Sequence, residues 1–360
     1  MSALITETRA DLLRFTLDRP VGGSGVSAID VLAVDLVDSD GVVGMGFSYG
    51  LRGGGLTMLA AARDLLDGAI EGASPAAPEA LYRDMVSALN RLGRGPAYLA
   101  MAAIDLAVWD LHAKARGVSL TVALGGRPRP VPVYGSGGLR PDMEPSAAAD
   151  VALAHVEAGF RGVKPRLAGD RSDGARLAAV RAALPDAVDL MGDANEKCNL
   201  ARAQWLAGLC GELGLLWLEE PLPAYDQAGY EALARSAPVP IATGEHLQGA
   251  VEARGLFDVR ACAVFQPDLA MMGGVTECLR AARLAEHFGI GIAPHFLPAL
   301  FVHLAGAAPN LTWLEDFPLL EPLFTFDVAM AADGTMTATD TPGHGLAWAE
   351  DARRRYRADA

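Results

Sequence analysis

Three carboxylates, Asp193, Glu219 and Glu245, each close a short apolar run, and each is followed by a helical stretch. The runs read VDLMGDAN, LLWLEEP and VPIATGEH, about one strand–helix unit apart. At the C-terminal tips of three successive parallel barrel strands, such groups converge on one point at the barrel mouth. Hard oxygen donors arranged in that way suit Mg²⁺ better than zinc or copper.

Other polar residues fall at the ends of similar runs: Tyr134 and Ser136, Lys164 and Arg166, Asn195 beside Asp193, then Asp268, His295 and Glu315. Each has a plain alternative. Glu219 stands next to Glu220, and one member of such a pair is commonly a salt-bridge partner. A histidine in IAPHF is more often a satisfied core residue. The weight lies in the whole series, because every one of the eight strand candidates ends in a polar or ionisable side chain.

The chemistry follows from these types. A carboxylate-bearing substrate would set oxygens on the metal, and loss of its α-proton would place a second negative charge there. The metal, the Lys164 ammonium and a protonated Glu315 donating a hydrogen bond would stabilise the resulting enediolate. His295 becomes a competent base if Asp268, one strand earlier, orients and charges its far nitrogen.

These groups need a scaffold, and the sequence supplies one. From Ile5 to Ser48, alternating apolar and polar residues predict antiparallel strands. Two glycine-rich segments, PVGGSG at 20–25 and YGLRGGG at 49–55, read as flaps or as plain surface turns. The GGG run lacks the spacing of a phosphate-binding fingerprint. Residues 56–118 read as helical, and in PAYLAMAAIDLAVWDLHAKARG the acids Asp105 and Asp110 fit capping or salt-bridging roles. Beyond TVALGGRPRP, short β-branched runs alternate with helical patterns: VPVYGS, GVK, DLMGD, LLWLE, PIATGE, AVFQPD, GIAPH and TWLE. Their spacing of about 20 to 30 residues predicts an α/β fold, a (β/α)₈ barrel. The expected division is a smaller N-terminal α+β domain at 1–128, the barrel at 129–318, and a segment at 319–360 packing back on the N-terminal domain.

Composition narrows the function. A net charge of −14 argues against a nucleic-acid surface but leaves an anionic substrate open, since a metal or local cations can invert the field in a cleft. Cys198, Cys210, Cys262 and Cys278 form no zinc-like spacing and are expected as buried thiols. There is no signal-peptide pattern and no uncharged run of membrane-spanning length, so a cytoplasmic enzyme acting on a small molecule is expected.

Taken in order, Lys164-x-Arg166, Asp193-x-Asn195, Glu219-Glu220-Pro221, Gly244-Glu245, Pro267-Asp268, His295 and Trp313-Leu314-Glu315 resemble the enolase superfamily and, within it, the mandelate racemase subgroup. The segments AAIDLAVWDLHAKARG and GHGLAWAEDA resemble it too, so the likeness runs nearly end to end. That superfamily is a known example of a Lys or His base working with Mg²⁺ on an enediolate. The resemblance implies a modified barrel under a capping domain, a Mg²⁺ cofactor and a homo-oligomer, from dimer to octamer. It also implies flaps that close over the substrate, which brings Tyr49 and Arg52 forward as substrate contacts. Tyr134, Ser136, Asn195 and His246, which directly follows Glu245, join them, each with a scaffold role as the alternative.

One position departs from the pattern. The subgroup usually carries Lys-x-Lys at the second strand, and here the second lysine is Arg166. A guanidinium is a poor base and a good clamp. Racemisation needs a base on each face of the α-carbon, whereas β-elimination of water needs one. The expectation is therefore dehydration of an aldonic, aldaric or tartrate-like acid to a 2-keto-3-deoxy acid. The alternative is a racemase or epimerase of a 2-hydroxy acid, and a non-catalytic barrel is the remote third reading. The polar flap leans away from an aromatic acid.

Overall fold

The computed structural model describes residues 3–21 and 25–358. The flap reading at 20–25 therefore lies largely outside the described residues. Three antiparallel strands, β1 (Ile5–Val21), β2 (Val26–Asp38) and β3 (Val43–Gly50), pair in sequence order. They are followed by α1 (Gly55–Leu65), α2 (Pro78–Ala88) and α3 (Pro96–Ala115).

The Ala-rich α3 is apolar all round, as a helix covered on every side must be. It lies hard against β3, and glycine permits the approach: a Cβ on Gly46 would collide with the Ala103 carbonyl oxygen. Its two acids are structural, as expected. Asp105 accepts from the Thr276 amide at 2.8 Å and its hydroxyl at 2.7 Å, tying cap to barrel. Asp110 accepts from the Met45 and His344 amides and pairs with Lys114.

All eight predicted barrel runs are strands. They are β4 (Val131–Gly135), β5 (Gly162–Val163), a third strand interrupted at Met191 into β6 (Asp189–Leu190) and β7 (Gly192–Asp193), then β8 (Leu218–Glu219) and β9 (Ile241–Thr243). β10 (Val264–Phe265), β11 (Gly291–Ile292) and β12 (Leu314–Asp316) complete the set. Neighbours are parallel, in two arcs, β12-β4-β5-β6 and β7-β8-β9-β10-β11. Bridges at Arg166–Asp193 and Ile292–Leu311 close the arcs into a barrel.

The barrel interior is filled rather than open. Tyr134, Met191, Trp217, Ala242 and Ala293 form its plug. Residues 319–360 pack two ways. Within them, β14 (Thr335–Met336) pairs with β4 of the barrel, and β13 (Phe324–Phe326) pairs with β15 (Leu346–Trp348). Arg353 bonds to Asp11 and Asp35 of the cap, and Arg357 bridges to Leu13. The four cysteines are free and buried. No helix among the described residues is long and apolar enough to cross a membrane.

Candidate active site

Strand register brings the acids to one mouth. Asp193 lies opposite Glu219, and Glu219 lies opposite Ala242, three residues before Glu245. Above them is a cavity of about 380 Å³ lined by Arg52, Arg166, Asn195, Lys197, Glu245 and His295, among others.

Asp193 is held on two sides. Its Oδ2 accepts from Arg166 Nη1 and from Asn195 Nδ2, each at 3.0 Å, and its Oδ1 accepts from the Asn195 amide at 2.8 Å. Asn195 makes that turn in a left-handed conformation (φ 42°), which asparagine tolerates better than most residues. Its Oδ1 accepts a second bond from Arg166, at 2.9 Å. Glu219 takes Lys164 Nζ at 2.6 Å on Oε1, and Gln266 at 2.6 Å and Trp217 at 3.2 Å on Oε2. Lys164 reaches Glu315 as well, at 2.9 Å. Burial alone would strip its proton, but Glu219 and then Glu315 reverse this and hold it as ammonium.

The carboxylates crowd one another. Burial, then Asp193, Glu315 and Glu245, push Glu219 up to about 7 despite Lys164. A bound cation relieves that repulsion, and an all-oxygen donor set fits Mg²⁺. Among the described residues, three acidic and imidazole groups that already come within 4.8 Å of one another are instead Glu196, Glu220 and His246. Asp193 and Glu219 are bonded instead to Arg166 and Lys164. In the Glu220 cluster, His246 Nδ1 lies 3.0 Å from Glu220 Oε1. Burial lowers its affinity for a proton, yet the bond to Glu220 raises it, while burial and Glu245 favour the neutral form of Glu220, so the pair shares a proton beside the cavity rim.

Across the mouth, His295 Nδ1 sits 2.8 Å from Asp268 Oδ2, and its Nε2 faces Glu245 Oε2 at 3.8 Å. Burial disfavours the imidazolium, but Glu245 and then Asp268 raise it to about 9. Asp268 is fixed in turn by the Met271 amide at 2.9 Å, and by the Tyr49 hydroxyl, which donates to Oδ2 at 2.6 Å.

Comparison with known families agrees with this geometry. A model of the mandelate racemase / muconate lactonizing enzyme N-terminal domain matches residues 20–125, and an enolase C-terminal domain-like model matches residues 147–352. The chain belongs to the mandelate racemase subgroup of the enolase superfamily. L-talarate/galactarate dehydratase of Salmonella typhimurium is 34% identical over 91% of this chain and 83% of its own length. D-galactarolactone cycloisomerase of Agrobacterium fabrum is 29% identical over 98% of both. The structure of L-talarate dehydratase from Polaromonas sp. JS666, complexed with Mg and L-glucarate, superposes with a TM-score of 0.92 at 36% identity, covering 99% of this chain and 98% of that one.

Four expectations need correction within this enolase-superfamily frame. Tyr134 is no substrate contact: it is fully buried in the barrel plug, edge-on to Trp217 and Trp313, with Lys164 Nζ 5.2 Å above its ring. Ser136 is buried too, and its Oγ donates to Glu315 Oε1 at 2.6 Å, behind the cavity. Tyr49 is buried on β3 with its hydroxyl on Asp268, and it does not line the cavity as a substrate contact would. Glu315 is held as a carboxylate rather than as the expected neutral acid. Burial favours its neutral form, but Lys164, then His295 and the Ser136 hydroxyl, hold it well below the usual carboxylate range. It also accepts from the Phe296 amide at 3.1 Å.

Arg166 is held as a cation in this arrangement. Asp193 keeps it charged against the pull of burial, and its guanidinium lies 5.0 Å over the Phe317 ring. The cavity also contains residues the motifs did not flag, chiefly Lys197 and Phe317. Phe317 is two residues past Glu315 and Lys197 two past Asn195, so the spacing of the strand ends was the available signal.

The Tyr49 contact yields a prediction. Tyr49→Phe removes one bond to an ionised group and is expected to lower kcat about tenfold, with KM little changed. Steady-state kinetics on a turned-over acid check it, and an unchanged kcat would show that Asp268 is held without the hydroxyl.

Proposed function

We propose that the chain catalyses Mg²⁺-dependent β-elimination of water from a sugar acid, giving a 2-keto-3-deoxy acid. The observation that carries this reading is the asymmetry of the mouth: a His295–Asp268 dyad on one side and an ion-paired Arg166 on the other. One side can exchange protons and the other can only bind.

Asp193, Glu219 and Glu245 would hold the Mg²⁺. Bound there, it supplies positive charge that stabilises a carboxylate gaining electron density and offsets the hold of Glu245 on the His295 proton. His295 Nε2 takes the proton α to the substrate carboxylate while Asp268 keeps Nδ1–H in place. The electron pair of that C–H bond moves into the carbon framework. The imidazolium then returns its proton to the departing β-hydroxyl, the C–O bond breaks and water leaves. The enol so formed becomes the 2-keto acid by tautomerisation. Arg166 and Asn195 bind substrate oxygens, with Arg52 and His246 at the rim, and Lys164 holds Glu219 and Glu315 in place beneath.

The working unit in this reading is the barrel at 129–318 under a cap formed by 1–128 and completed by 319–360, in a cytoplasmic homo-oligomer. The alternative, racemisation or epimerisation, draws support from a racemase of Streptomyces coelicolor with bound magnesium, 29% identical with a TM-score of 0.92. Incubating the Mg²⁺-loaded protein with a panel of aldaric and aldonic acids, assayed for 2-keto product, separates them. Formation of only the opposite stereoisomer would overturn dehydration. An absence of both product and α-proton exchange would favour the inert barrel.

A further inference from the structure

The chain uses lysine three times and arginine 27 times. Lys114 pairs with Asp110, and Lys164 with Glu219 and Glu315. Lys197 is placed differently. It follows Asn195 by two residues in the loop after β7 and lines the same cavity as Arg166, Glu245 and His295. Its Nζ donates to the Leu167 carbonyl oxygen at 2.8 Å, and no carboxylate among the described residues forms an ion pair with it.

An ammonium carries three donors, and a carbonyl satisfies one without neutralising the charge. Lys197 is exposed overall, so its remaining donors are open to a ligand in the cavity it lines. The Gly169 backbone packs against the root of this side chain: a Cβ there would lie 3.3 Å from Lys197 Cβ. The cation thus stands at the wall of the cavity, bonded to the Leu167 carbonyl oxygen. The acid that undergoes elimination needs one carboxylate at the Asp193–Glu219–Glu245 end, and that end is already served by Arg166.

We propose that Lys197 binds a second carboxylate at the far end of the substrate, making this site selective for a sugar diacid over the matching monoacid. The inference rests on the dehydratase reading and extends it to substrate class. A lysine suits the role because a compact ammonium gives a strong, charge-assisted bond to a terminal carboxylate.

The test compares wild type, Lys197→Met and Lys197→Arg, all Mg²⁺-loaded, on a six-carbon aldaric acid and on the aldonic acid of the same stereochemistry. An acid that is not turned over is assayed as a competitive inhibitor. Lys197→Met is expected to raise KM for the diacid by about 10- to 100-fold, the range of a lost charge-assisted bond, with kcat nearly unchanged. The constant for the monoacid should move by no more than about twofold, and Lys197→Arg should recover most of the diacid affinity. Equal effects on both acids would overturn the proposal. A fall in kcat at unchanged KM would also overturn it, by making Lys197 a proton carrier. If wild type forms no 2-keto product from either acid, the dehydratase reading itself has failed and the proposal falls with it.

Discussion

His295→Asn is expected to abolish dehydration, lowering kcat by about 10²–10⁴-fold, the range that a positioned general acid–base contributes. Asparagine keeps a donor that can face Asp268, and Asp268 keeps its bonds to Tyr49 and Met271, so the surroundings survive. What is lost is the group that accepts the α-proton and then delivers a proton to the leaving hydroxyl. The two basic groups beside the carboxylates do not replace it: Arg166 is fixed as a cation by Asp193, and Lys164 is enclosed between Glu219 and Glu315. KM should change little, because the carboxylate-binding groups are untouched. Two measurements check this, the rate of 2-keto product and exchange of the α-proton with solvent deuterium. If both fall together, His295 takes the α-proton; if exchange persists while product stops, it serves the leaving group alone. A variant that still dehydrates at the wild-type rate would remove His295 from the mechanism.

The barrel and its acids were legible because both rest on local order. Short apolar runs ending in a polar residue recur at barrel spacing, and that pattern alone places Asp193, Glu219, Glu245, Asp268 and His295 at one mouth. Depth and protonation are not local. Tyr134 and Ser136 end the same strand, yet Tyr134 drops into the plug beneath Lys164, and Ser136 turns to Glu315 behind the cavity. A strand-end rule fixes the position along the barrel axis but not which neighbour a side chain meets. The charge of Glu315 was hidden for the same reason, since it is set by Lys164 from a strand 151 positions earlier in the sequence. Tyr49 came forward through the flap beside it, whereas its partner lies 219 residues away. Lys197 escaped because the Asp193-x-Asn195 motif ends two residues short of it.

Lys164→Met tests that hidden charge arrangement most severely. Lys164 and Glu315 are each 1% exposed and Glu219 is fully buried, with Nζ 2.6 Å from one carboxylate and 2.9 Å from the other. Methionine fills much of the same volume but leaves two buried carboxylates without their cation. Removing one partner of a buried pair costs about 3–5 kcal/mol, most of it the uncompensated charge left behind. The metal-free variant is therefore expected to unfold at markedly lower denaturant than wild type, and to lose activity by about 10²–10³-fold, as when one preorganised electrostatic group is removed. A second substitution separates the two effects. Adding Glu315→Gln removes one stranded charge, so the double variant should regain part of the lost stability, while activity stays low because the ammonium is still missing. The two substitutions should be non-additive by at least about 1 kcal/mol in unfolding experiments, the signature of direct contact. Additive losses would mean that Lys164 stabilises the fold through its packing on Tyr134 rather than through Glu315.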